Sequence, residues 1–289
     1  MTELPDNVLA HLCGTIDLPD FAGTRYDLRE EIGRGGMGTV YRAHDRLLDR
    51  DVALKVVDAE AGLEEASVLA RLEHPGIVPV YDAGELPDGR RFAAMRLVEG
   101  ERLDQFLARE STAGASLSAR LRVYLRVCDA VSFAHRAGVA HCDLKPHNIM
   151  VAAFGQVFVM DWGIAVRGAR GLREPVAGTA RYMAPELTAG PARDVYAMGR
   201  LLEDMVAQAS APPLLAVAAR ASAARPEDRY RGVDELAAEV VRYLDRLPVL
   251  AYRESLLERA RRFAARNQTL LILLGAYILV RLGLFLSSH

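Results

Sequence analysis

One short polar stretch, residues 141–148, combines side chains whose types and spacing suit a chemical reaction. It reads HCDLKPHN and sets an acid, an amine and an amide at Asp143, Lys145 and Asn148. Offsets of zero, two and five are the spacing of a phosphoryl-transfer catalytic loop. Cys142 precedes the acid, at a position where most such loops carry arginine. The stretch therefore predicts phosphoryl transfer, and its cysteine bears on how the reaction is switched.

A glycine-rich run, residues 32–40, is the first element expected to position a phosphate. It reads IGRGGMGTV and contains the pattern GxGxxG at Gly33, Gly35 and Gly38. Glycines let a backbone approach a triphosphate closely and turn its N–H groups toward it. The same pattern opens dinucleotide-binding folds, but there a helix follows the glycines at once. Here the run 39–41 is strand-like, which favours a hairpin that covers a nucleotide.

A lysine inside an apolar run is the second such element. Residues 52–55 read VALK, and an unpaired ammonium group buried in a strand costs free energy. Lys55 therefore needs either an exit to solvent or an anion. Glu65, on a helix predicted from Gly62 to Glu73, is the expected ion partner, with phosphate oxygens as the other anion.

The remaining patterns predict a β-rich first part and a helical second part that meet near residue 98. Residues 1–25 read as a polar arm. Alternating or continuous apolar runs predict strands, and apolar residues every three or four positions predict helices. The predicted strands are 39–41, 52–57, 77–81 and 91–98, and the predicted helices include 117–137 and 234–247.

These motifs together resemble those of serine/threonine protein kinases, in particular the bacterial receptor-like members with a GxGGMGxVY loop. The likeness extends from about Tyr26 to Leu247, and the motifs occur in the order of that family. It implies an α+β, two-lobed fold, with a β-rich lobe over residues 26–98 and a helical lobe over 99–247. The motifs are the glycine loop, VALK, the helix glutamate, HxDLKPxN, DWG, GTxxYMAPE, DVYxxG and RPxxR.

The resemblance assigns roles to the polar side chains. Asp143 would accept or orient the proton of the substrate hydroxyl, and Lys145 would stabilise charge on the transferred phosphate. Asn148 and Asp161 would hold Mg²⁺ ions that bridge phosphate oxygens. Thr179 would contact Asp143 and Lys145. The implied substrates are ATP and the serine or threonine hydroxyls of proteins.

The resemblance also implies a pocket for ATP between the two lobes. Val40 and Ala53 would enclose the adenine ring, with Met150 near its other face. Met95 aligns with the gatekeeper position, ahead of a hinge that includes Val98. The complete set of implied nucleotide-binding residues is Ile32, Gly33, Gly35, Gly36, Gly38, Val40, Ala53, Lys55, Glu65, Met95, Val98 and Met150.

Cys142 is the clearest departure from the family. The arginine usually found there binds a phosphate on the activation loop and orders that loop. Residues 164–177, which follow the DWG motif, contain no serine, threonine or tyrosine. Because the phosphate acceptor and its receptor are both missing, we expect activity without activation-loop phosphorylation. We interpret Cys142 as a small apolar residue; the alternative, a redox switch, needs a lowered thiol pKa and exposure.

Two anchoring contacts are also implied by the resemblance. Asp194 would hold the catalytic loop from a central helix, and Glu186 would pair with Arg225. The stretch between Asp194 and Arg225 is short for this family, and the run SAPP at 210–213 interrupts it. We therefore expect part of the usual substrate-docking helix and loop to be missing. Trp162, in place of the usual phenylalanine, is a mild change because both side chains pack as an apolar plug.

Composition and charge narrow the range of partners. The formal net charge of −2 argues against nucleic acid as an obligatory partner, because no basic surplus exists to neutralise its phosphates. Three widely spaced cysteines form neither a disulfide framework nor a zinc site, and they suit a reducing compartment.

The carboxyl end predicts a transmembrane helix. Residues 269–286 are apolar apart from Arg281 and would span about 27 Å as a helix, close to the thickness of a bilayer core. A buried core helix and an amphipathic helix on the membrane surface are the alternatives. Five arginines precede the run, in a basic juxtamembrane segment at 248–268. The positive-inside rule then predicts a single-pass protein of the inner or plasma membrane, with its large amino-terminal part in the cytoplasm.

Two further functions compete with that of an active protein kinase. A nucleotide-binding pseudokinase that scaffolds partners at the membrane is disfavoured because every phosphoryl-transfer residue is present. A small-molecule kinase of related fold is disfavoured because typical members lack the motifs APE and RPxxR. The expected function is therefore ATP-dependent phosphorylation of protein serine or threonine by a membrane-anchored kinase.

Overall fold

Two antiparallel sheets and seven α-helices form the part of the chain that the structure, a computed structural model, describes. The described residues are 18–35, 38–57, 69–113, 116–162, 180–186, 190–207 and 209–287. Within them, only the backbone is described for residues 111–113, 261, 265–266, 270–271 and 282–287. Within the described residues five strands come first along the chain and all seven α-helices follow them, so the predicted two-lobed arrangement is confirmed.

The first lobe is built on a five-stranded sheet in the order β1-β2-β3-β5-β4. Side chains that alternate along the strands place one face in an apolar core, which includes Tyr41, Leu54 and Phe92. The strands are β1 (Tyr26–Gly35), β2 (Gly38–Asp45), β3 (Arg50–Val57), β4 (Val80–Glu85) and β5 (Arg91–Arg96).

The predicted strand at 77–81 is wrong in its position. β4 begins at Val80, whereas Ile77 forms an isolated parallel bridge with Val159 of the second lobe. Ile77 is buried in the core of that lobe. A short apolar run carries no information about which sheet receives it, and the segment before β4 belongs to the contact between the lobes.

The glycine run forms a hairpin, as predicted. β1 and β2 pair as far as Gly35 opposite Gly38, while residues 36–37 lie outside the described part. Gly38 has a φ of 122°, which residues with a side chain rarely adopt. A Cβ atom there would also collide with the carbonyl oxygen of Val56 on β3. Glycine at this position therefore permits the close approach of the hairpin to the third strand.

A small second sheet and the end of a long helix position the catalytic loop. The sheet comprises β6 (Gly100–Arg102), β7 (Ile149–Ala152) and β8 (Val157–Val159). Helix α2 (Leu117–Arg136) begins at a Ser116 cap and ends five residues before the loop. Because β7 starts directly after Asn148, residues 141–148 connect the end of α2 to the small sheet.

Five helices pack in or against the second lobe, and sequence patterns located two of them well. α2 was predicted at 117–137 and is confirmed to within one residue. The predicted helix at 234–247 ends earlier, at Leu244, because the chain turns at Arg246, whose φ is 56°. The helices are α1 (Leu103–Ala113), α2, α3 (Pro191–Val206), α4 (Pro212–Ala221) and α5 (Val233–Leu244).

Two more helices follow the second lobe: α6 (Leu256–Arg266) and α7 (Gln268–Ser287). Among the residues that the structure describes, none of the helices combines the length and the apolar character needed to cross a membrane. The anchor predicted at 269–286 stays a prediction. The alternative of a buried core helix is wrong, because the side chains described in α7 from Ile272 to Val280 include seven large apolar groups that are each more than half exposed.

Candidate active site

The three polar groups of the catalytic loop lie in direct contact. Lys145 Nζ donates to Asp143 Oδ2 over 2.7 Å. The Asn148 amide nitrogen donates to the Asp143 backbone oxygen (2.8 Å) and to Oδ2 of the same residue (3.2 Å). Asn148 is 6% exposed, whereas Asp143 and Lys145 are half-buried. The spacing read from the sequence thus brings acid, amine and amide together at one accessible carboxylate.

A buried carboxylate holds this loop from behind. Asp194, in the first turn of α3, is fully buried and accepts from the backbone N–H groups of His141 and Cys142, each over 2.8 Å. His135 Nε2, near the end of α2, lies 2.7 Å from the same carboxylate. Cys142 has a φ of 64°, a conformation that costs a non-glycine residue free energy. The two hydrogen bonds that Asp194 accepts stabilise that conformation, as expected of its anchoring role.

Lys55 and Asp161 form an ion pair that joins the two lobes. Lys55 is buried in β3, and its Nζ donates to Asp161 Oδ1 over 2.7 Å. Burial alone would raise the pKa of Asp161, but the charge and hydrogen bond of Lys55 outweigh it and hold that pKa below its usual value. Asp161 therefore stays ionised at neutral pH. The carboxylate that pairs with the buried Lys55 is therefore that of Asp161. The predicted partner, Glu65, lies outside the described residues.

The turn that carries Asp161 is fixed by its neighbours. Met160 N donates to the Asn148 backbone oxygen over 2.7 Å. His141 Nε2 donates to the Met160 oxygen over 2.9 Å, which leaves Nδ1 to accept from Asp143 N. The Trp162 ring is 1% exposed and lies 4.7 Å from the His141 ring, and its indole N–H donates to Val159 O. Trp162 therefore fills the apolar plug position that was predicted for it.

An apolar cluster lies between the sheets of the two lobes, beside this polar centre. It brings together Ala53 and Met95, which pair across β3 and β5, with Phe158 of the small sheet. The predicted residues Val40, Val98 and Met150 pack against it. Val78 and Phe158 complete the cluster and were not predicted. Apolar side chains from both lobes therefore meet beside the polar centre.

The polar groups suit a divalent cation that is shared with another molecule. Within the described ranges, no group of three or more histidine, cysteine, aspartate or glutamate residues could hold a metal ion by itself. Both of these hydrogen bonds of the Asn148 amide use its nitrogen, so neither of them engages its oxygen, the atom that would bind a cation. Mg²⁺ is commonly bound through one or two protein oxygens together with phosphates and waters. The donor set of Asn148 and Asp161 fits that pattern.

The predicted pairing of Glu186 with Arg225 is wrong. The partner is Arg229, which donates from Nη1 and Nη2 to the two Glu186 oxygens, each over 2.7 Å. The Arg229 side chain is fully buried and donates further to backbone oxygens of residues 192, 223 and 224. Arg225 is exposed and pairs with Asp228. The short turn Pro226–Asp228 directs the second arginine inward, which the motif RPxxR alone does not reveal.

The Cys142 thiol has the properties of an unreactive group. Burial raises its pKa to about 11, and the charge of Asp194 acts in the same direction. A raised pKa keeps the thiol protonated at neutral pH, whereas redox and nucleophilic cysteines have lowered values. This supports the interpretation of Cys142 as a small apolar residue.

Comparison with known families decides the assignment of this site. The protein kinase domain family matches residues 26–223, which include the glycine hairpin, Lys55, the catalytic loop and Asp161. The chain belongs to this family. Protein kinases use ATP and a divalent metal, which agrees with the apolar cluster and the cation donors of this chain.

Two proteins that are similar to this chain come from bacteria. The serine/threonine-protein kinase PknD of Chlamydia trachomatis (serovar D) is 30% identical, over 81% of this chain and 33% of that protein. A probable serine/threonine-protein kinase of Streptomyces coelicolor, SCO3848, is 33% identical, over 80% of this chain and 42% of that protein. The kinase thus spans about a third of the length of the first of these relatives.

Solved structures agree on the fold. The crystal structure of the PknI kinase domain of Mycobacterium tuberculosis superposes with a TM-score of 0.61 at 26% identity. The match covers 77% of this chain and 96% of that domain. The fold that the two proteins share therefore includes nearly the whole PknI kinase domain and about three quarters of this chain.

Some predicted site residues are not brought to the centre or are not described. Gly33 and Gly35 lie in β1, where Ile32 is 48% exposed. Gly36, Glu65 and Thr179 lie outside the described residues, as does the whole segment 163–179. His135, which supports Asp194, was not predicted, although it stands on α2 only six residues ahead of His141.

Proposed function

We propose that this kinase transfers the γ-phosphate of ATP to serine or threonine hydroxyls of proteins. The observation that carries the proposal is the joint placement of Asp143, Lys145 and Asn148 beside the Lys55–Asp161 pair. The curated relatives are named as serine/threonine kinases, and the DLKP setting of Lys145 resembles that subclass.

Each side chain has a task in this proposal. Asp143 accepts or orients the proton of the attacking hydroxyl, and Lys145, 2.7 Å from it, offsets negative charge on the transferred group. Lys55 orients the phosphates, and Asn148 and Asp161 hold the cation. ATP and Mg²⁺ supply the phosphoryl group and the charge neutralisation that accompanies its transfer. Val40, Ala53, Met95 and Met150 provide apolar walls for the adenine ring, because they lie in or against one apolar cluster.

The test is transfer of radiolabelled phosphate from ATP to a general protein substrate by the full chain. We expect Asp143→Asn to lower the transfer rate by about 10²- to 10⁴-fold, the range typical of a lost general base. Asp49→Asn is the matched control, because Asp49 is 96% exposed in the turn between β2 and β3 and its φ of 47° suits asparagine. This control should retain full activity.

Two outcomes would contradict the proposal. Binding of ATP without transfer to any substrate would favour a pseudokinase that acts as a scaffold. Transfer to tyrosine, detected by phosphoamino-acid analysis of the product, would contradict the serine/threonine assignment.

The proposal includes activity without phosphorylation of the activation segment. Two features support it: residues 164–177 contain no hydroxyl-bearing side chain, and Cys142 replaces the usual phosphate-binding arginine. Treatment of the active kinase with a phosphatase should leave the transfer rate unchanged. A phosphate on Thr179 that rises and falls with activity would contradict this part.

Membrane attachment through residues 269–286, with the kinase domain in the cytoplasm, is a separate part of the proposal. Its support is the row of exposed apolar side chains on α7 and the arginines that precede it. The full chain expressed in bacteria should resist extraction from membranes by alkaline carbonate and dissolve in detergent. Release by carbonate would contradict an integral anchor.

A further inference from the structure

Helix α6 has an apolar face that no other part of the described structure covers. At about 100° per residue, Leu256, Leu257, Ala260, Phe263 and Ala264 fall within an arc of about 120°. Leu256 is 83% exposed, Leu257 69% and Phe263 59%, and both alanines are exposed. Large apolar groups grouped on one face of a helix and exposed together indicate a surface that becomes buried against another body.

Basic residues border this face, and acidic ones do not. By position on the helix, Arg259 and Arg261 each lie about 40° beyond one edge of the apolar arc. Arg253, just before the helix, and Arg259 are exposed. An arginine at the edge of an apolar arc can lay its stem along the apolar surface and reach outward with its guanidinium group. This arrangement complements a surface that is apolar beneath and negatively charged at its boundary.

The two acidic side chains of this region form hydrogen bonds and an ion pair away from the apolar face of the helix. Glu258 closes a capping box with Ser255 and accepts from the Tyr252 hydroxyl over 2.9 Å. Glu254 is paired with Arg262, with nitrogen–oxygen distances down to 2.7 Å. Their charges are therefore neutralised or directed away from the apolar arc, and they do not repel an anionic partner there.

The start of α6 is fastened to the kinase domain. Leu250 N donates to the buried Glu239 of α5 over 2.7 Å, and the Pro248 oxygen accepts from Arg242 Nε over 2.8 Å. Tyr252 packs against the core of the second lobe and bonds to α6 through Glu258. The helix therefore leaves the domain in a defined direction, with its apolar face exposed.

We propose that α6 lies in the plane of an anionic lipid surface, with Leu256, Leu257 and Phe263 in the acyl boundary and Arg259 at the headgroups. An amphipathic helix with arginines on its polar flanks binds such surfaces through apolar burial and charge together. The inference adds to the proposed membrane attachment but does not depend on it, because α6 carries its own apolar face and its own charge. A second copy of the chain on the same face is the competing occupant.

The test uses Phe263→Trp in the full chain as a local reporter. The chain has one other tryptophan, Trp162, which is 1% exposed, so its emission gives a constant background. We expect the emission of the reporter to shift to shorter wavelength with vesicles of equal parts phosphatidylcholine and phosphatidylglycerol, and not with phosphatidylcholine alone. Arg259→Gln should weaken the response to the anionic vesicles roughly fivefold, the value of one basic residue near such a surface.

A matched pair of substitutions controls for charge and helix propensity. Ala260→Glu places a carboxylate in the centre of the apolar arc, whereas Ala265→Glu places the same group about 140° away from that centre. We expect the first to abolish the wavelength shift and the second to leave most of it.

Three outcomes would overturn the inference. An equal shift with phosphatidylcholine vesicles would remove the role of the arginines. A shift that needs no vesicles and grows with protein concentration would assign the face to a second copy. Co-sedimentation with both kinds of vesicle without any shift would support attachment through α7 and make α6 a simple linker. None of these readouts involves ATP, so they separate this inference from the proposed kinase activity.

Discussion

The kinase domain and the two helices that follow it differ in which unusual side chains they contain: buried charged groups in the domain, and exposed apolar groups in the helices. In the domain, charged groups such as Asp194, Arg229 and Lys55 are buried and paired. In α6 and α7, large apolar groups such as Leu257 and Leu279 are 69% exposed. An exposed apolar side chain gives little to folding, whereas a buried charge is tolerated only with partners.

The difference shows what each region needs in order to keep its geometry. Asp194, Arg229 and Lys55 find partners within the domain, and two of them, Asp194 and Lys55, fix the positions of the catalytic loop and of Asp161. The apolar side chains of α6 and α7 find no cover within the described residues, and this is the reason for proposing that another surface covers them. Substitutions should therefore act on stability and catalysis in the first region, and on attachment in the second.

The largest expected effect follows from breaking the buried pair of Glu186 and Arg229. Arg229→Met should lower the free energy of unfolding by about 3–5 kcal/mol, because it leaves Glu186 and three backbone oxygens without their donor. Arg225→Met is the control in the same motif and should cost less than about 0.5 kcal/mol, because Arg225 is exposed. Urea unfolding followed by circular dichroism measures both values. Equal effects would mean that burial of this guanidinium group does not matter.

The same pair predicts a dependence on pH. Burial alone would raise the pKa of Glu186, but its hydrogen bonds with Arg229 outweigh burial and hold that pKa below its usual value of 4.5. A lowered pKa contributes stability above the usual value, and this contribution is lost as the pH falls through the folded-state pKa. In Arg229→Met burial acts without these hydrogen bonds, so the pKa of Glu186 should lie above 4.5. The difference in stability between the native chain and Arg229→Met should therefore be largest near neutral pH, begin to shrink above pH 4.5 and shrink further below it.

The next effect concerns the carboxylate behind the catalytic loop. Asp194→Asn replaces one accepting oxygen by a donor, so one of the N–H groups of His141 and Cys142 loses its acceptor. We expect a loss of about 2 kcal/mol in stability. A displaced loop should also lower the transfer rate about a hundredfold. Asp49→Asn again serves as control, and a normal rate in Asp194→Asn would show that the loop keeps its position without this anchor.

Long patterns and fixed spacings made much of the domain predictable. Twenty residues of helical periodicity located α2, and the offsets within residues 141–148 correctly placed Asp143, Lys145 and Asn148 together. The glycine pattern followed by a strand correctly indicated a hairpin. In each case the information lies in a short stretch of sequence, where local backbone geometry determines which side chains or strands come into contact.

The errors came from contacts between distant segments. The motif RPxxR contains two arginines, and only the turn between them decides that Arg229 points inward. Val78, Phe158 and His135 take part in the site through packing of one element on another, which periodicity does not encode. Predictions on residues 163–179, Gly36 and Glu65 stay predictions.

A smaller effect is expected on the alkylation rate of Cys142, which tests whether burial in the domain makes its thiol unreactive. With its pKa raised from 9.0 to about 11, its alkylation by iodoacetamide at neutral pH should be about a hundredfold slower than that of an ordinary thiol. The rate should rise about tenfold for each pH unit up to that pKa, because only the thiolate reacts. Mass spectrometry of the Cys142 peptide measures the rate. Fast alkylation at neutral pH with loss of activity would favour the redox switch instead.

The smallest effect is expected in the exposed region and tests the comparison itself. Leu257→Ala on α6 should change the free energy of unfolding of the domain by less than about 0.5 kcal/mol, because the side chain is 69% exposed. Leu202→Ala on α3 removes the same atoms from a fully buried site and should cost about 2–5 kcal/mol. Both variants are compared by urea unfolding in the same non-ionic detergent. A cost for Leu257→Ala that approaches that of Leu202→Ala would mean that α6 packs on the folded domain, and its apolar face would then not be available to a lipid surface.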